Sequence, residues 1–141
     1  MERKATAAWQ GGLKDGKGTL TTDSKVLSYT PYTYGTRFEG SPGTNPEELL
    51  GAAHAGCFTM ALSAQLAEAG IRSERIETKA TITLEKLDSG FAITRSHLDV
   101  SVRAPGAERA RFEQAAEKAK TGCPMSKVLR AEISMDARLV D

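Results

Sequence analysis

The sequence predicts an α+β fold in which antiparallel sheets wrap a long, buried central helix. Two observations predict it. Residues 49–67 are nineteen in a row without charge, and a helix-start signal, Asn45-Pro46-Glu47-Glu48, opens them. On both sides of this run lie segments of strand and turn character, including a clean period-two alternation from Ile76 to Glu85. Strands, one long helix, a hairpin, shorter helices and a last strand make a layered α+β arrangement in a single domain over residues 1–141.

Residues 1–40 read as β structure with turns. Thr6-Ala7-Ala8-Trp9 and Gly18-Thr19-Leu20-Thr21 flank the glycine-rich stretch 11–16, a hairpin signal. A third β segment near Val26-Leu27-Ser28-Tyr29 leads through Pro31 to Thr36-Arg37-Phe38-Glu39. The loop Gly40-Ser41-Pro42-Gly43-Thr44 is dense in turn formers. Asn45 then caps a helix, Pro46 suits its first position, and Glu48 completes a capping box three residues after the cap. Gly70 offers a left-handed stop.

A helix over 46–69 is about 36 Å long at 1.5 Å per residue. Its apolar residues surround it on every side, so it must be buried almost all round. Either the sheets wrap it completely or a second subunit supplies the cover. Nineteen uncharged residues also meet the length of a membrane span. Ala, Gly, Ser, His and Gln fill much of the run, however, whereas insertion is driven by Leu, Ile, Phe and Val. No membrane partner is expected.

Residues 74–104 return to β structure. Ile76, Thr78, Ala80, Ile82 and Leu84 alternate with Glu77, Lys79, Thr81, Thr83 and Glu85. Asp88-Ser89-Gly90 makes a turn, and residues 91–102 form the returning strand. The apolar parity of that strand shifts between Ile93 and Leu98, which predicts a β-bulge or twist. Pro105-Gly106 opens a second helix to about residue 120, with Phe112, Ala115, Ala116 and Ala119 on one face. Gly122 ends it, Pro124 starts a short third helix through about Arg130, and Ile133, Met135, Ala137 and Leu139 line a final strand.

Composition narrows the function. Forty per cent hydrophobic residues and a net charge of +1 exclude a disordered chain. Nineteen basic residues against eighteen acidic ones, with no basic run, leave no stripe for nucleic acid. No signal peptide follows Met1-Glu2-Arg3-Lys4, so a cytoplasmic protein is expected. Cys57 and Cys123 are too few for a disulfide scaffold, and with only His54 and His97 beside them they make a structural zinc site improbable.

The thiols remain the most reactive groups. Cys57 lies mid-helix in Ala53-His54-Ala55-Gly56-Cys57-Phe58, where burial alone raises a thiol pKa. It becomes reactive only if a cation reaches it. His54, one helical turn earlier on the same face, is one candidate, although a lone His on an apolar helix is more often a packing or hydrogen-bonding residue. Cys123, before Pro124 at a helix start, has the locally more favourable electrostatics for a thiolate. Glu48 serves the helix cap; Glu47 beside it is surplus to capping and lies roughly 15 Å along the axis from Cys57. An arginine such as Arg37 would span that gap, although a solvated strand residue is its ordinary reading.

Thr36-Arg37-Phe38, the run from Thr44-Asn45-Pro46-Glu47-Glu48 through His54-Ala55-Gly56-Cys57-Phe58 to Leu62, and Cys123-Pro124 resemble the OsmC/Ohr family. These are the osmotically inducible protein C and organic hydroperoxide resistance proteins, and the order of elements agrees over nearly the whole chain. The resemblance implies a thiol-dependent peroxidase built as an intertwined homodimer, with the two long helices packed at its centre. It makes Cys57 the peroxidatic cysteine and Cys123 the resolving one, which overrides the local preference for Cys123. Arg37 matches the arginine that stabilises the thiolate and polarises the peroxide, and Glu47 the carboxylate that orients it. An arginine at position 37, with only Lys14 and Lys17 as basic residues in the earlier region, resembles the OsmC branch, as does His54-Ala55.

The implied substrate is an organic hydroperoxide, with hydrogen peroxide as a second substrate. No metal, flavin or haem is implied. The reductant is an external dithiol, often a lipoyl group on a carrier protein. A thiol redox sensor and a non-catalytic ligand-binding dimer remain the rival readings; exchange of the thioredoxin type lacks its Cys-x-x-Cys motif.

Overall fold

A computed structural model describes all 141 residues, which divide into two compact units, 1–49 and 50–141.

The first unit is an antiparallel meander of β1 (Ala5–Gln10), β2 (Lys17–Thr22) and β3 (Thr30–Tyr32), followed by the short helix α1 (Tyr34–Phe38). Register places Gly18 between Trp9 and Tyr32. The two rings close over it with centroids 5.4 Å apart, and a Cβ on Gly18 would overlap both.

The segment from Thr36 to Glu39, expected as strand, is instead largely helical, so Arg37 sits on α1. The cause is a capping box made by two threonines. The Thr36 N–H donates to Thr33 Oγ1 at 3.2 Å and the Thr33 N–H to Thr36 Oγ1 at 2.9 Å. Tyr34 and Phe38 then stack one turn apart, with centroids at 4.9 Å. Val26 to Tyr29 are likewise turn rather than strand, and Lys25 and Tyr29 take positive φ of 62° and 50°.

Helix α2 (Pro46–Glu68) begins in the first unit and runs into the second. The second unit continues with β4 (Arg75–Leu87), β5 (Gly90–Arg103), α3 (Arg109–Gly122), α4 (Pro124–Val128) and β6 (Glu132–Val140). Helix α2 ends where Gly70 takes φ +73°, with Ile71 N–H on Leu66 O at 2.8 Å and Gly70 N–H on Ala67 O at 3.0 Å. β4 and β5 form the expected hairpin. Its bulge falls at Thr94, since Thr83 pairs with Arg95 and Leu84 with Ile93.

Two expectations need correction. β6 pairs parallel to β5, so this sheet is mixed rather than antiparallel throughout. The reason is the crossover through α3 and α4, which carries the chain back before it re-enters the sheet. Nor is α2 buried all round within the chain. Its core stripe is Gly51, His54, Phe58, Leu62 and Leu66, spaced by three or four residues, while Ala52, Ala53, Gly56, Met60 and Ala64 are exposed. One sheet face and α3 cover one side of a rod, not its circumference.

The core sets Phe58, Leu62 and Leu66 against Leu98, Val100 and Val102 of β5 and Phe112, Ala115, Ala116 and Ala119 of α3. By length and composition α2 would cross a membrane; here its apolar stripe is spent on this core.

Candidate functional site

The four residues singled out from the sequence come together in two pairs, one in each unit. The first pair is built by two helix starts. Asn45 Oδ1 accepts the Glu48 N–H at 2.8 Å, capping α2, and Asn45 Nδ2 donates to Thr36 O at 3.3 Å, tying that cap to α1. Arg37 on α1 and Glu47 in the first turn of α2 are thereby brought face to face. Arg37 Nη2 donates to Glu47 Oε1 at 2.7 Å, and Nε lies 3.1 and 3.3 Å from the two carboxylate oxygens.

This forked pairing fixes the plane of the guanidinium as well as its position. The carboxylate is 13% exposed and the arginine side chain 38%, so the cation keeps an open side. Beside it lies an apolar cavity of about 260 Å³ lined by Trp9, Leu13, Tyr32, Tyr34 and Phe38. Nothing in the sequence marks this cavity, because α1, which contributes Tyr34 and Phe38, reads as a strand by residue type.

The second pair is the thiols. Cys123 Sγ lies 3.0 Å from Cys57 Sγ, and both cysteines are free. They are brought together by the packing of α3 and α4 on α2. Cys123 is the residue between those two helices, its N–H bonded to Ala119 O at 3.0 Å. Cys123 is fully buried and Cys57 only partly, so Cys57 is the more exposed cysteine of the two.

Burial, and then the adjacent Cys123 thiol, push the Cys57 thiol above its ordinary range. The Met125 backbone N–H, from the first turn of α4, bonds Cys57 and acts in the opposite sense. Met125 was not anticipated, since a backbone donor leaves no mark on residue type.

His54 does not bond either thiol. Its ring is fully buried, with Nδ1 2.7 Å from Ser96 Oγ and Nε2 2.9 Å from Ser126 Oγ. Burial lowers its pKa, so the neutral imidazole is favoured and it supplies no cation to Cys57. His97 is unrelated to this arrangement. It lies on the other face of β5, with Nδ1 2.7 Å from Ser134 Oγ and Nε2 3.6 and 3.3 Å from Asp99 and Asp136. Lys79 stands opposite Asp99 in the register, which makes this a solvated cluster of mixed charge.

Comparisons with known proteins identify relatives of the whole chain. A family profile described as OsmC-like protein matches residues 38–138. The chain is 52% identical over 139 residues to the peroxiredoxin OsmC of Escherichia coli, covering 99% of this chain and 97% of the relative. It is 29% identical over 123 residues to the organic hydroperoxide resistance protein OhrB of Bacillus subtilis, covering 86% and 88%. The crystal structure of that OhrB superposes with a TM-score of 0.70 at 26% identity, over 96% of this chain and 98% of that one. A profile matching most of the chain and a relative more than half identical over nearly its full length show that the chain belongs to the OsmC family.

Proposed function

We propose that the protein is a cysteine-based peroxidase that reduces organic hydroperoxides in the cytoplasm, working as a homodimer. The observation that carries this reading is the contact of two free thiols at 3.0 Å, one partly buried and one fully buried. The relatives named as peroxiredoxin and as organic hydroperoxide resistance proteins support the same chemistry.

Cys57 thiolate attacks one peroxide oxygen. A sulfur–oxygen bond forms, the oxygen–oxygen bond breaks, and the departing alkoxide takes up a proton to leave as the alcohol. Sulfur is oxidised to the sulfenic acid and the hydroperoxide reduced. The Cys123 thiol then attacks that sulfur, the disulfide forms, and water leaves. An external dithiol restores both thiols by exchange.

The environment of Cys57 in the second unit favours the neutral thiol, so the reaction needs a cation. Arg37, held by Glu47 with an open side, is assigned that role: it stabilises the thiolate and the charge developing on the leaving oxygen. The apolar cavity beside Arg37 suits the alkyl part of the substrate. The exposed apolar face of α2 and the wholly exposed β1 support a second copy of the chain as their cover.

Peroxide consumption with excess dithiol, measured for an organic hydroperoxide and for hydrogen peroxide, tests the reading. Cys57→Ser is expected to abolish turnover, and Cys123→Ser to accumulate sulfenic acid under substoichiometric peroxide. Wild-type activity in Cys57→Ser would end the assignment of the nucleophile; a wild type that consumes neither peroxide would end the enzyme reading.

A further inference from the structure

β5 presents residues 96, 98, 100 and 102 to the core, and three of them are Leu98, Val100 and Val102. The fourth, Ser96, is a fully buried hydroxyl in an otherwise apolar stripe. Its partner is His54 Nδ1, while the other ring nitrogen reaches out of the core to Ser126 on α4. A neutral imidazole has one donor and one acceptor nitrogen, and each hydroxyl can answer either, so the chain of three is fully satisfied.

Helix α4 is lightly held: Met125 packs partly buried against the core, and few other contacts anchor it. It is five residues long, contains no buried residue, and has no side-chain bond at its N-cap, which is Cys123 itself. A helix of one turn has no stability of its own. The bond from Ser126 to His54 is the one hydrogen bond made by a side chain of residues 124–128. Those same residues include the Met125 N–H that bonds Cys57, and they follow directly on the Cys123 thiol.

We propose that His54 is a positioning residue for the thiol pair: by tethering Ser126 to the β5 core it holds the first turn of α4, and with it Cys123, against Cys57. Its physiological consequence rests on the peroxidase reading: the tether speeds disulfide closure, the step that protects the Cys57 sulfenic acid from further oxidation. Its effect on the attack itself is smaller, because neither ring nitrogen touches a thiol and the Met125 N–H ranks below burial and the Cys123 thiol among the influences on Cys57.

The experiment separates the two steps in the full-length protein. Cys57 oxidation by stoichiometric organic hydroperoxide and the subsequent disulfide closure are followed by rapid mixing in wild type, Ser126→Ala, His54→Ala and His54→Gln. Closure is measured a second time with diamide, which forms the disulfide without any peroxidase step. Ser126→Ala, at a half-buried surface position, retains the fold even where His54→Ala does not.

The expected result is closure slowed about tenfold in Ser126→Ala and His54→Ala, which corresponds to about 1.4 kcal/mol. The oxidation step stays within about twofold of wild type, and closure is partly restored in His54→Gln, whose amide offers a donor and an acceptor of similar reach. Closure at the wild-type rate in Ser126→Ala overturns the proposal, as does equal slowing of both steps. A wild type that consumes no hydroperoxide ends the peroxidase reading alone, since the diamide comparison still judges the tether.

Discussion

The two units hold their pairs of candidate residues by different means. In residues 50–141 the thiols rest on a core in which α2, β5 and α3 each contribute fully buried side chains, Phe58, Leu98 and Phe112 among them. In residues 1–49 the only buried residues are two glycines, Gly16 and Gly18, and all six residues of β1 are exposed. There the arginine is placed by hydrogen bonds at two helix starts and by one ion pair. A packed core keeps two sulfurs at fixed distance, whereas the lightly packed residues 1–49 leave a guanidinium solvated on one side.

This contrast predicts that stability and chemistry can be damaged separately. Phe58→Ala removes a fully buried ring from the centre of the larger core and is expected to cost about 3–5 kcal/mol, read as a lowered denaturant midpoint. A loss below about 1 kcal/mol would mean that the core collapses around the gap and that the contrast is overdrawn. Arg37→Ala is expected to do the reverse. An exposed ion pair contributes at most about 1 kcal/mol to stability, whereas loss of the cation slows Cys57 oxidation about 10²–10³-fold. Equal damage to both properties would show that the first unit depends on this pair for its fold.

A pH titration gives the smallest effect and the finest test. His54 has its pKa lowered by burial, so the native state binds fewer protons than the unfolded chain below the unfolded value of 6.5. The stability it protects is complete above 6.5 and is lost as pH falls through the lowered native value. Cys57 works in the opposite sense. Its raised pKa leaves stability complete below its ordinary value of 9.0 and lost as pH rises through the native value. Denaturant midpoints in His54→Gln should therefore lose the decline that begins below pH 6.5 and keep their alkaline one. An unchanged acid limb would assign that decline to other groups.

Much of the second unit was legible because its signals are local and periodic. Alternation along β4, the face of Phe112, Ala115, Ala116 and Ala119 on α3, and the Gly70 stop of α2 all depend on residues within a turn or two. The bulge at Thr94 was visible as a change of parity. Helix α1 was not legible, because threonines at 33 and 36 favour strand by propensity and declare a helix only when their hydroxyls bond back to the chain. The direction of β6 was hidden for a related reason, since alternation is the same for either sense of pairing.

The residues of the site divide in the same way. Cys57, Cys123, Arg37 and Glu47 stand out by type and by their resemblance to a known pattern, and the structure gathers them into their two pairs. Ser96 and Ser126 lie 42 and 72 residues from His54, and nothing in their own neighbourhoods announces a shared partner. Long-range hydrogen bonds to serine are invisible in a single sequence because serine is ordinary almost anywhere.

The crossover to β6 also has a consequence for how the protein is made. On the ribosome the β4–β5 hairpin, with its local pairings, emerges before the segment that carries Cys123, and before the last strand that closes the sheet. A nascent chain therefore carries Cys57 for a time without its partner. During synthesis an oxidised Cys57 has no neighbouring thiol to receive it, and a chain cut short before residue 123 never gains one.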